Sequence, residues 1–324
     1  MSLLRVELTR FVSRRTIALL LLVAAALTML MVLSTAWSTR PVGATELASA
    51  RAQVHAQVTQ PGFQHELRDC EQDPAELFGP GATARDCARS LTPTTASYLS
   101  RSPLSLAAER DGHGSAVAVL VTVLMIVVGA TFAGSGRAAG SLSTQLLVEP
   151  RRGRVWLTKA AAVTLGCLAS ATVLVSAFWV GLYAVAESRG LSPAGGVLQG
   201  VAADGVRAAL LAGVAGLGGF ALGMLLRGTL ATLAVLFAVA AGGEALVPLL
   251  PVDRSPLWSL GTNVFAWLHD GVRVFDPAAG CGPGQPGCSP QVAVSLVHGA
   301  SYLGVLLGVV LLVSVALFRR RDVG

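Results

Sequence analysis

Six apolar runs constrain this 324-residue chain more than any other feature. They are Thr16 to Ser34, Ala116 to Ala133, Ala160 to Ala186, Ala208 to Leu226, Thr229 to Leu250 and Ala300 to Phe318. Each has about 18 residues or more, enough to cross roughly 30 Å of hydrocarbon as a helix. Hydrocarbon offers no partner to a backbone N–H or C=O, and a helix satisfies both internally. The run 160–186 extends to about 40 Å at 1.5 Å per residue, so it is expected to tilt or to project into water. Charged residues make up only 13% of the chain and hydrophobic residues 53%. That is about half the charge of a soluble domain, which excludes a soluble globular enzyme, a disordered chain and a coiled coil. The expected fold is an all-α polytopic membrane protein with six transmembrane helices.

Basic residues near the runs set an expected orientation. Arg5, Arg10, Arg14 and Arg15 precede the first run. Arg137, Arg151, Arg152, Arg154 and Lys159 lie between the second and third, Arg227 between the fourth and fifth, and Arg319, Arg320 and Arg321 after the last. All fall on one side if both termini are cytoplasmic, against only Glu7, Glu149 and Asp322 there. The net charge of +6 therefore reads as membrane topology rather than as a nucleic-acid surface. The first run reads as a retained span rather than a removed signal peptide, being long and followed by no clear A-x-A site.

Residues 1–15 place Leu4, Leu8 and Phe11 at helical spacing, with Arg5, Glu7, Arg10 and Arg14 elsewhere, so an amphipathic helix on the cytoplasmic membrane surface is expected. Residues 35–115 form a large extracellular loop, helical over Thr45 to Val58 and then interrupted by Pro61, Pro74, Pro80, Pro93 and Pro103. A shorter outer loop covers 187–207. The outer segment 251–299 opens with an apolar stretch, including Trp258 and Trp267, that reads as a re-entrant helix with its indoles at the interface; the alternative is an ordinary surface helix. A short cytoplasmic tail, 319–324, follows the last run.

Of five cysteines, Cys167 lies alone inside the third run, while Cys70 and Cys87, and Cys281 and Cys288, fall in outer loops. Disulfides Cys70–Cys87 and Cys281–Cys288 are expected there. The alternative is four free or metal-binding thiols, against which no His follows at zinc-site spacing.

The chain has no G-x-x-x-x-G-K-[ST], no H-E-x-x-H and no G-x-S-x-G, and no metal or cofactor site is expected on it. Glu244, in AGGEALVP, is the clearest ionisable residue within the apolar runs. It reads either as a pathway or proton site, or as a helix-end residue close to outer water. Gly213, Gly216, Gly218, Gly219 and Gly223 in the fourth run permit another helix to approach closely.

The most informative stretch is Gly140 to Lys159, GSLSTQLLVEPRRGRVWLTK, within the cytoplasmic segment 134–159. Ser141 to Val148 reads as a short helix with Leu142, Leu146 and Leu147 on one side, ended at Glu149 by Pro150. Arg151 and Arg152 follow, and Lys159, the chain's only lysine, leads into the third run. This run of residues resembles the segment between the second and third spans of ABC exporter permeases of the second type, above all those of high-GC Gram-positive bacteria. Where those permeases often carry an acid a few positions before the glycine, this chain has Arg137.

The resemblance implies a coupling helix over Ser141 to Glu149 that docks on a separate ATP-binding subunit. Glu149, Pro150, Arg151, Arg152 and Lys159 would shape that contact, and ATP and magnesium would sit on the partner. It implies a second permease chain, in a homo- or heterodimer, within a bacterial plasma membrane, and no enzymatic residues on this chain. An amphipathic small molecule or lipid-like substrate follows from spans with few polar side chains. Two other readings stand beside it: an ion-coupled secondary transporter using Glu244, and a membrane-anchored extracellular binding protein.

Overall fold

A computed structural model of the chain describes residues 3–78, 82–99, 101, 104–138, 151–191, 195–247, 254–276 and 291–320. Among them are six helices long and apolar enough to cross a membrane, one for each apolar run. The chain is a mostly helical, multi-pass membrane protein. Its described residues fall into two compact units. The first holds the residues up to Leu33 and those from Leu106 onward, and the second is Ser34–Ser105.

In the first unit, α1 (Leu3–Ser13) leads directly into α2 (Arg15–Ser38), the first span. A short α7 (Leu106–Glu109) passes through a π-turn at Arg110–Gly114 into α8 (Ser115–Ala138), the second span. The third span, α9, runs over Arg152–Ser188, and the fourth, α10, over Gly195–Leu226. The fifth is α11 (Thr229–Phe237), continued by a π-turn at Ala238–Gly242 and by α12 (Gly243–Leu246). After a short α13 (Leu260–Leu268) and a β-hairpin, α14 (Leu296–Arg320) is the sixth.

The third and fourth helices extend beyond the lengths that hydropathy marks out. At 37 residues, α9 rises about 55 Å, well beyond the hydrocarbon thickness. It begins at Arg152, so Arg152 and Lys159 belong to its first turns rather than to a loop. At 32 residues, α10 takes in Asp204 and Arg207, expected in an outer loop. A helix carries its backbone hydrogen bonds with it, so polar side chains at its ends do not stop it where the bilayer does.

The core lies where α8, α9 and α10 meet. Met125, Val128, Val163, Cys167, Phe178, Ala212 and Phe220 are fully or almost fully buried there. The seam between α8 and α10 is made by glycine. A Cβ on Gly129 would strike the backbone of Gly216, one on Gly219 the backbone of Ile126, and one on Gly216 would lie 2.6 Å from the Cys167 Sγ. The close approach expected from the fourth run's glycines is thus made inside the chain. The fifth and sixth spans bury only 6% of their apolar windows, against 56% for α10.

The second unit is more helical than its prolines imply. It contains α3 (Ala44–Val58), α4 (Pro61–Gln72), α5 (Pro74–Phe78) and α6 (Ala84–Leu91). Pro61 and Pro74 begin helices instead of breaking them, since the first helical residue has no use for the N–H that proline lacks. The disulfide Cys70–Cys87 ties α4 to α6, with Cα atoms 5.9 Å apart and Cys87 fully buried. Thr83 and Asp86 form a capping box at the start of α6. The other expected pair, Cys281 and Cys288, lies outside the described residues.

No strand was expected, yet β1 (Val272–Phe275) pairs antiparallel with β2 (Gln291–Val294), Val272 opposite Val294 and Phe275 opposite Gln291. Four-residue strands leave little alternation to read, and their pairing partner is distant in sequence.

Candidate functional site

The N-terminal helix departs from the expected surface amphiphile. Its buried residues are Glu7 and Phe11, while Leu4 and Leu8 are only half-buried. Glu7 turns inward because a cation waits there: Lys159 Nζ donates to Glu7 Oε2 at 3.0 Å, and each side chain is 5% exposed. Arg10 Nη1 donates to the other carboxylate oxygen, Oε1, at 3.0 Å. Removing Glu7 would take from the buried Lys159 ammonium the carboxylate it bonds, a loss whose cost is large.

Aromatic packing completes the joint. The Phe11 ring occupies the space that a side chain at Gly166 of α9 would need, 2.6 Å from that Cβ position. It also meets Phe132 of α8 at a centroid distance of 5.9 Å. The Lys159 ammonium lies 5.7 Å from the centre of the Phe132 ring and the Arg14 guanidinium 5.0 Å, both within cation–π range. Burial lowers the proton affinity of Arg14, the nearby Glu7 carboxylate raising it and Arg10 lowering it further; the group stays charged throughout. The α1 helix thus occupies the corner between the second and third spans, the two helices that flank residues 139–151. The end of the sixth span lies at this same end of the bundle, with Arg319 Nη2 3.0 Å from a Cβ placed on Gly153.

Of the residues proposed to shape an ATPase contact, Ser141, Leu142, Leu146, Leu147, Glu149 and Pro150 lie outside the described residues. Arg151 stands just ahead of α9, with Arg152 its first residue. Lys159 points into the bundle, to Glu7. Sequence reasoning singled out Lys159 but missed Glu7. The available signal was one acid among Arg5, Arg10, Arg14 and Arg15, in a chain with a single lysine.

A second polar cluster lies at the opposite end of the same helices. Arg110 Nε donates to Asp204 Oδ2 at 2.7 Å, joining the second span to the fourth. Arg207 approaches Asp204 at 3.6 Å and Asp270, just beyond α13, at 3.3 Å. Ser115 Oγ and His269 Nε2 share a hydrogen bond at 2.8 Å, and His269 Nδ1 lies 3.7 Å from Asp111. Trp267 donates its indole N–H to the Arg207 carbonyl at 2.9 Å. Leu268 packs on Ala118, Val175 and Ala208. These contacts fasten α13 across the ends of the second, third and fourth spans.

Glu244 holds the other end of α13. Its carboxylate accepts from Gly261 N at 2.6 Å and from Ser259 Oγ at 2.8 Å. Ser259 is the N-cap, its hydroxyl oxygen accepting from Thr262 N at 3.0 Å. A carboxylate is favoured here because the first turn of a helix presents unpaired N–H groups and the positive end of its dipole. Between α9 and α10, Leu168, Val175, Trp179, Leu198, Val206 and Leu210 line an apolar groove of about 480 Å³.

No family model matches this chain, and neither a curated protein nor a solved structure matches it.

Proposed function

We propose that this chain is the transmembrane permease subunit of an ATP-driven ABC exporter, powered by a separate ATP-binding subunit that docks on residues 134–159. The single observation that carries the reading is that α9 begins inside that segment, at Arg152. The last eight residues of the stretch that resembles the coupling segment of these permeases, Arg152 to Lys159, are the first turns of a 37-residue helix, longer than the bilayer is thick. A push delivered at its foot is delivered to a rod that crosses the whole membrane.

In this reading both termini are cytoplasmic, in keeping with the placement of the basic residues. The membrane is the bacterial plasma membrane, a second permease chain completes the path, and the cargo is an amphipathic or lipid-like small molecule. The short α13 is the re-entrant segment of the outer leaflet, and the unit Ser34–Ser105 stands outside, where a disulfide persists. The ion-coupled alternative needs Glu244 to load and release a cation, whereas its carboxylate is engaged as a helix cap.

The test is purification of the full-length chain from its native membrane, followed by transport in vesicles. A nucleotide-hydrolysing chain in the complex, together with ATP-dependent export, is the expected result. A pure complex without any ATPase, or transport driven by an ion gradient and abolished in Glu244→Gln, sinks the proposal.

A further inference from the structure

Two facts about the α1 joint go beyond topology. Lys159 meets a carboxylate 152 positions away in sequence, and Phe132 of α8 touches three of the groups involved, Phe11, Arg14 and Lys159. One pin is ionic, Glu7 on Lys159; the other is steric, Phe11 over Gly166. Two pins at different heights of one helix set both the position and the heading of another. Two cations, Arg10 and Lys159, share the carboxylate of Glu7, so its loss takes that anion from both.

We infer that Glu7 is a positioning residue: through Lys159 it locks α1 into the corner between the second and third spans, so that α1 and the roots of the linker 139–151 move as one body. A helix lying free on the membrane surface would slide while the spans tilt. A helix ion-paired at low dielectric cannot leave without stranding a charge. The consequence for transport rests on the exporter reading; the joint itself does not.

The chain's chemistry supplies a direct test, because Lys159 is its only lysine. Full-length protein in its native membrane is treated with a small amine-reactive ester, and modification is located by peptide mass spectrometry, apart from the N-terminal amine. Lys159 in the unaltered chain is expected to resist. In Glu7→Gln the orphaned ammonium opens to water, and labelling rises by on the order of 100-fold. The exchange Glu7→Lys with Lys159→Glu restores the pair reversed, and the relocated sole lysine at position 7 is again protected. It also serves if Glu7→Gln fails to accumulate. Equal labelling of Lys159 in the unaltered chain and Glu7→Gln, or a freely labelled lysine in the exchange variant, overturns the joint.

Transport is read in the same preparations. Glu7→Gln is expected to keep its ATPase bound and hydrolysing while export falls, and the exchange variant to recover export. Export at the original rate with Lys159 exposed overturns the positioning role. Absence of any ATPase overturns the exporter reading instead, and the labelling result then decides the joint alone.

Discussion

Glu7 and Glu244 are both carboxylates in apolar surroundings, and the structure employs them differently. Glu7 answers Lys159 of another helix and Arg10 of its own, whereas Glu244 answers the N–H and hydroxyl of a helix start. Hydrogen bonds to an ionised group contribute more than neutral ones. Replacing Glu244 with Ala should destabilise the attachment of α13 by about 1–2 kcal/mol, visible as a lower unfolding temperature in detergent. An unchanged temperature would remove Glu244 from the cap.

Asp86 shows the same chemistry in water. Bonds from the Thr83 hydroxyl and the Thr83 backbone N–H hold its carboxyl below the ordinary value of 3.8. A folded-state value below the unfolded one means that the stabilisation is present above the ordinary value and is lost as pH falls through the folded one. Amide exchange in α6 should therefore accelerate under acid, and Asp86→Asn should flatten that dependence.

At the scale of elements, the α8–α10 seam decides how tightly the bundle closes. A methyl at Gly219 meets the backbone of Ile126, which cannot swing aside, whereas one at Gly218 meets only the tip of Leu307, 3.4 Å away. Gly219→Ala should cost about 1–3 kcal/mol and Gly218→Ala much less, measured as yield and thermal stability of the folded protein. Comparable losses at both positions would show that helix propensity, not the seam, sets the effect. Glycine enrichment in the fourth run was plain in the sequence; which helix it admits was not. The pattern in Gly219-x-x-x-Gly223 serves a contact within a chain as well as one between chains.

The spans of the whole molecule are unevenly buried. Its second, third and fourth spans make a dense core, while the fifth and sixth present open apolar faces, with Leu230 and Leu312 more than 70% exposed. Such faces are at ease in lipid and ruinous in water. In the proposed orientation, an impermeant reductant applied to intact cells should open Cys70–Cys87, and tags at both termini should stay hidden until the membrane is breached. Exposed termini would invert the topology and remove the ATPase side from the linker.

The apolar runs, the six helices able to cross a membrane and the disulfide of the second unit were legible from order and composition alone, because the bilayer responds to local hydropathy and the two cysteines stand 17 residues apart. Nothing local told that Glu7 would turn inward to Lys159, that Glu244 would cap α13, or that Asp204 would join Arg110. Those choices belong to the tertiary structure: a charge inside a membrane protein is tolerable only beside its counterpart, and that counterpart comes from another helix.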